Sequence, residues 1–138
     1  MKGVVRFGVA MEGALLDQFD RHIHQRGYAN RSEALRDLVR GQLAQAAWER
    51  GDRTVATITI VYDHHVRELT ERLNAIQHDY GANVVSSLHV HLNHHQCLEV
   101  IVARGQANVL KKMADEITRT KGVLVGNITA APAGEESE

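Results

Sequence analysis

The chain has 138 residues, a length for one domain or two small ones. Hydrophobic residues make up 43% and charged residues 24%, which excludes a mostly disordered chain. The one cysteine, Cys97, excludes an internal disulfide framework, and a formal net charge of −1 does not by itself suggest a nucleic-acid partner.

In chain order, VVRFGVAM alternates strictly: Val5, Phe7, Val9 and Met11 point one way, and Arg6, Gly8 and Ala10 the other, the pattern of a half-buried strand. A helix follows with Leu15, Leu16, Phe19 and Ile23 on one stripe, closed by Gly27 in a C-cap position. Asn30, with Glu33 three residues on, restarts the chain as a capped helix that buries Leu35, Leu38, Val39 and Leu43 and runs to about Trp48. One strand and two short helices cannot close a core, because the strand has no ladder partner. The economical solution is a two-fold dimer whose strands pair antiparallel. Such a ribbon fits the DNA major groove with Arg6, Gly8 and Ala10 facing base edges. Residues 1–53 carry nine Lys/Arg against seven Asp/Glu, and the rest seven against ten, so any DNA-facing part belongs at the N-terminus. This pattern resembles the ribbon-helix-helix family.

Residues 1–48 are thus one domain, and the polar run ERGDR (49–53) reads as a linker. TVATITIVY is a β-branched strand, and HHVRELTERLNAIQHD an amphipathic helix with Val66, Leu69, Leu73 and Ile76 on one face and Asp63 as its N-cap. VVSSLHVHLN and CLEVIVARG form a hairpin across NHHQ, NVLKKMADEITRTKG is a helix, and VLVGNITA is the last strand. The order βαββαβ over 54–131 is the split ferredoxin-like arrangement, similar to ACT regulatory domains. The fold class expected is α+β. The tail, 132–138, is expected to be disordered. Aromatics are only 4%, so the core is aliphatic and modest, and such cores often need an oligomer or a metal. No apolar run reaches the roughly 18 residues of a membrane span, and no signal-peptide pattern opens the chain, so a soluble cytoplasmic protein with no membrane partner is expected.

The chain has nine histidines, and their spacing matters more than their count. His89 and His91 share a strand face, and Cys97, across a short turn centred near His94, falls almost opposite His91. Directly opposed Cβ atoms sit roughly 5 Å apart, so two imidazoles and a thiolate converge. Spacing alone leaves two readings open: a metal site, or a surface histidine pair beside a small buried cysteine. His64, His65, His94 and His95 lie at a helix start or in a turn, where histidine is ordinarily solvated. They are placed outside the primary site, with a secondary metal role left open. His22 and His24 read as surface residues.

The run LHVHLNHHQCLEV, with QHD upstream and GYANRSEALRDLVR near the N-terminus, resembles the nickel-responsive regulator (NikR-like) family of ribbon-helix-helix repressors, from Val4 to about Ala130. The resemblance implies a nickel-dependent transcriptional repressor that binds a palindromic operator when Ni(II) is bound and controls genes of nickel uptake or homeostasis. It implies one square-planar Ni(II) per subunit, held by His89, His91 and Cys97 of one subunit and His78 of another. A metal shared in this way implies a homotetramer, a dimer of dimers. It also implies that Arg6, Gly8 and Ala10 contact double-stranded operator DNA. Arg6 can grip a guanine edge, worth about 1–3 kcal/mol of discrimination, while Gly8 and Ala10 lack the hydroxyls usual in the family. Glu33 and Asp37 match carboxylates that form a cation site between the domains, although a solvated acidic pair explains them as well. Glu99 lies on the face of Cys97 and suits a partner for a ligand imidazole.

Two rival classes fit less well. An amino-acid sensor needs a glycine-rich loop after the first strand of the second domain, and VYDHHVRE has none. An enzyme with Cys97 as nucleophile needs a base oriented by an acid, and no spacing supplies one; no catalytic residue is assigned.

Overall fold

A computed structural model describes residues 3–131. The tail expected to be disordered, 132–138, lies outside the described residues. They divide into two compact units, the first ending at Gln42 and the second beginning at Leu43.

In the first unit, residues 3–12 form no strand within the chain. The expected half-buried strand is exposed on both faces: Val5 is 71% and Phe7 79% exposed. The physical reason is that a β-strand exists only with a ladder partner, and a single chain offers none here. Helix α1 spans Gly13–Gln25 and buries Ile23. It ends as its glycine demands. Gly27 adopts φ +83, the Gly27 N–H donates to the His24 carbonyl and the Tyr28 N–H to the Ile23 carbonyl, a Schellman closure.

Helix α2 spans Arg31–Arg50. Asn30 Oδ1 accepts the Glu33 N–H at 2.9 Å, while the Glu33 carboxylate reaches back to the Ala29 N–H at 3.4 Å. The start is therefore capped as the sequence indicates, with the return bond one residue early. Bidentate bonds from Arg31 to Asp20 at 2.9 and 2.8 Å tie α2 to α1. They also hold the Asp20 carboxyl below its usual range. Leu38, Val39 and Leu43, expected in a core, are 56%, 53% and 64% exposed. Ala34 is the one buried residue of α2 among those described, because a single chain supplies nothing to cover the rest of that face.

The second unit is a four-stranded antiparallel sheet in the order β2-β3-β1-β4, with β1 Arg53–Asp63, β2 Val84–His91, β3 Gln96–Gln106 and β4 Val123–Ala131. Helices α3 (Leu69–Asp79) and α4 (Ala107–Thr118) complete the expected βαββαβ order. Burial alternates along β1 and β3, and Ile58, Ile60 and Ile101 pack with Leu69, Leu73, Leu110, Met113 and Ile117 into one aliphatic core. Residues 49–53 are held in place: the Asp52 N–H donates to the Ala47 carbonyl, and the Asp52 carbonyl accepts the Ala107 N–H, both at 3.0 Å.

Directly paired residues of an antiparallel ladder share a face. On the face away from the helices the pairs Val90–Leu98, Leu98–Val61 and Val61–Val125 therefore form an apolar row across all four strands. Its two ends stay open, with Val90 40% and Val125 59% exposed.

One element differs in extent. The helix expected from His64 begins at Leu69. Asp63, expected as its cap, accepts the His65 N–H through Oδ1 at 2.9 Å and the Val66 N–H through its carbonyl at 3.2 Å. This is a side-chain-stabilised turn that competes with helix. Glu68 then takes φ 68, a left-handed residue that resets the chain before α3. Val66 still packs on the core from the turn.

Candidate metal centre

The hairpin of β2 and β3 builds the site. Asn93 Oδ1 accepts the His95 and Gln96 N–H groups at 2.8 and 2.9 Å, closing the turn in a single register. That register pairs His91 with Cys97 and His89 with Glu99, and β1 places Tyr62 beside Cys97. All five side chains therefore lie on the face that carries the helices.

Cys97 is 2% exposed, and its Sγ lies 3.4 Å from His91 Nδ1. His89 sits one pair further along the strand. Its Nε2 is hydrogen-bonded to the Tyr62 hydroxyl, and its Nδ1 is 3.9 Å from Glu99 Oε1. The Tyr62 hydroxyl is pushed up to about 12, first by burial and then by Glu99 and Cys97. It therefore keeps its proton at neutral pH and shares a hydrogen bond with His89 Nε2, while His89 Nδ1 is turned toward Glu99. Glu99 is 3% exposed and also accepts the Gln77 amide at 3.2 Å. Gln77 precedes His78 in the last turn of α3, so one buried carboxyl joins the hairpin to that helix end.

Of the four sequence-derived ligands, the structure brings His91 and Cys97 together, with His89 beside them on the same face. His78 is exposed on α3 and outside this group. The third side chain with a donor atom within 4.8 Å of both His91 and Cys97 is His64. Sequence reasoning set His64 aside as a solvated helix start. The Asp63 turn instead docks it under the hairpin, where its N–H donates to the His95 carbonyl at 3.0 Å. Tyr62 was likewise missed. An Asp followed by histidines suits a local turn as well as a cap, and that was the signal available for His64. A buried thiol among imidazoles is a mixed soft and borderline donor set, which fits a late first-row divalent metal.

Arg6, Gly8 and Ala10 all lie in the exposed segment of residues 3–12, and a Cβ at Gly8 would meet nothing within 4 Å. No helix among the described residues is long and apolar enough to cross a membrane.

Comparison with known proteins points to nickel binding by this part of the chain. Residues 55–131 match the family described as the NikR C terminal nickel binding domain. A protein of Solibacter usitatus named as a nickel-responsive regulator is 51% identical over 99% of each chain. One from Geobacter metallireducens with the same name is 50% identical, again over 99% of each. The fold alone is similar to that of an uncharacterized protein from Thermotoga maritima, at TM-score 0.52 and 10% identity, covering 57% of this chain and 98% of that one.

Proposed function

This chain belongs to the nickel-responsive regulator family, a family of regulators and not of enzymes, and from that premise we propose that it is a nickel-dependent transcriptional repressor. The observation that carries the reading is the pairing of His91 with the buried Cys97, backed by Glu99 bridging to Gln77. His89, His91 and Cys97 of one subunit, with His78 of another, would hold one Ni(II) per subunit. Held by these residues, nickel would link the hairpin to the α3 end of a neighbouring chain. Glu99, 3.9 Å from His89 Nδ1, is placed to orient that imidazole when it binds metal, and its bond to Gln77 keeps the last turn of α3 in register with the hairpin.

The N-terminal residues supply the DNA half. Two copies of residues 3–12, paired antiparallel, satisfy each other's backbone and bury Val5, Phe7 and Val9 against the exposed Leu38 and Val39 of α2. Arg6, Gly8 and Ala10 then face a palindromic operator as a ribbon-helix-helix. The open row Val90–Leu98–Val61–Val125 is suited to join two such dimers into a tetramer. On this reading the protein acts in the cytoplasm, on genes of nickel uptake or homeostasis. A coupling of about 1–3 kcal/mol between metal and DNA is enough for a roughly 5–150-fold change in operator affinity.

The test is a gel shift on the DNA upstream of the chain's own gene, with and without nickel, alongside absorption spectra. Nickel should tighten binding and produce a thiolate-to-nickel charge-transfer band. Cys97→Ala should abolish both while preserving the circular dichroism of the apo protein. A variant that keeps the band unchanged rejects the assignment of the site.

A further inference from the structure

We propose that Trp48 and Lys111 are positioning residues: they lock the end of α2 to the start of α4 and make residues 47–52 a fixed part of the sensing unit. The lock itself needs no metal. Its consequence, that nickel acts on the DNA-reading half through α2, rests on the reading above.

The two helix ends cap each other, and every residue involved lies in the second unit. At the end of α2, Gly51 takes φ +81. Its N–H donates to the Trp48 carbonyl at 3.2 Å, and the Asp52 N–H donates to the Ala47 carbonyl at 3.0 Å. Partial negative charge collects at such a helix end, and the cation that meets it comes from α4. Lys111 Nζ donates to the Trp48 carbonyl at 3.1 Å and sits 4.8 Å from the centre of the indole ring. In return, α4 begins at Ala107 with no side-chain cap from Gln106. The Asp52 carbonyl supplies the missing acceptor and takes the Ala107 N–H at 3.0 Å. Each helix thus satisfies a terminal group that the other leaves open.

Packing closes the same joint. A Cβ on Gly51 would lie 2.8 Å from the Asn108 amide nitrogen, so the two segments touch there. Half-buried Trp48 packs on the sheet-and-helix core. Residues 49–53, expected as a linker, are therefore the stiff part of the connection. The middle of α2 has no such support: a Cβ at Gly41 would meet nothing within 4 Å, and Leu43 is 64% exposed. A sensing unit ordered by nickel carries the end of α2 with it, which a loose linker would not do. Lys111 and Trp48 touch neither metal nor DNA in this role; they set how stiffly one half is joined to the other.

The experiment uses the full-length protein, in which Trp48 is the one tryptophan, so its fluorescence reads the lock directly. Lys111→Ala removes the ammonium and the stem beside the ring while keeping a strong helix former. Lys111→Arg keeps a cation that donates to a carbonyl and stacks on an aromatic face. Acrylamide should quench Trp48 more strongly in Lys111→Ala than in the wild type, with or without metal. Nickel affinity and the charge-transfer band should be unchanged, which also reports that the variant folds. The nickel-induced gain in operator affinity should shrink by about 5-fold or more, the small end of ordinary coupling between sites. Lys111→Arg should restore both the quenching and the gain. Unchanged quenching in Lys111→Ala overturns the lock, and a released Trp48 with an undiminished nickel gain overturns its role in coupling. A released Trp48 in a protein whose operator binding ignores nickel would sustain the lock and remove the nickel reading alone.

Discussion

Glu99 shows how much one buried side chain can organise. It is 3% exposed, and a polar group so placed needs a partner; the Gln77 amide donates to it, and His89 Nδ1 faces it at 3.9 Å. Glu99→Ala leaves the Gln77 amide without its acceptor and the His89 ring without its guide. Nickel affinity should fall about 10–100-fold while the charge-transfer band keeps its position, because the thiolate is untouched. A chelator-competition titration measures this, and unchanged affinity would show that Glu99 does not position the ligand. The Tyr62 hydroxyl works beside it: pushed up to about 12, it keeps its proton at neutral pH and holds the His89 ring through a hydrogen bond at Nε2.

At the scale of elements, short-range chemistry decides where helices begin and end. Asn30 caps α2 through its side chain, and Gly27 closes α1 with a left-handed residue. Asn30→Ala should lower the stability of the protein by about 1 kcal/mol, whereas Asn30→Asp should be nearly neutral. Urea midpoints at one fixed protein concentration test this, because assembly makes the midpoint depend on concentration. Equal midpoints for all three proteins would mean that the cap contributes nothing. The start of α3 follows the same logic with the opposite outcome. Asp63 bonds the His65 N–H two residues on and makes a turn, so the helix waits until Leu69.

For the whole molecule, the surfaces a single chain leaves open point to assembly. Val90 and Val125 end an apolar row on the sheet, and Val90 is exposed enough to be replaced without opening the core. Val90→Asp should therefore fold normally yet shift the proposed tetramer to dimers by light scattering, since a desolvated carboxylate is costly in an apolar contact. A mutant tetramer of unchanged stability would assign the contact elsewhere. The division of labour is tested by a crossed pair. Arg6→Ala should weaken operator binding with nickel bound and leave the nickel affinity of free protein unchanged. His89→Ala should lose the nickel response and keep weak, salt-sensitive, non-specific DNA binding. Loss of nickel in Arg6→Ala, or normal repression by His89→Ala, would contradict separate reading and sensing parts.

What the amino-acid order determined by itself was whatever depends on spacing along one element. Alternation set which residues of β1 and β3 face the core, and a short turn with Asn93 at its start set His91 opposite Cys97. The βαββαβ order and the family were legible for the same reason: period, breakers and a motif are all local. Contacts between elements distant in sequence were left to the tertiary structure. Tyr62 meets His89, Gln77 meets Glu99, and His64 reaches Cys97 only because the sheet order and the Asp63 turn bring separate segments to one end of the fold. The segment of residues 3–12 marks the boundary between the two: its alternation is plain in the sequence, yet no ladder forms within the chain. The reason is physical. Side-chain direction repeats with a period that the sequence carries, whereas a hydrogen-bond partner is supplied by whatever chain the fold or the assembly places alongside.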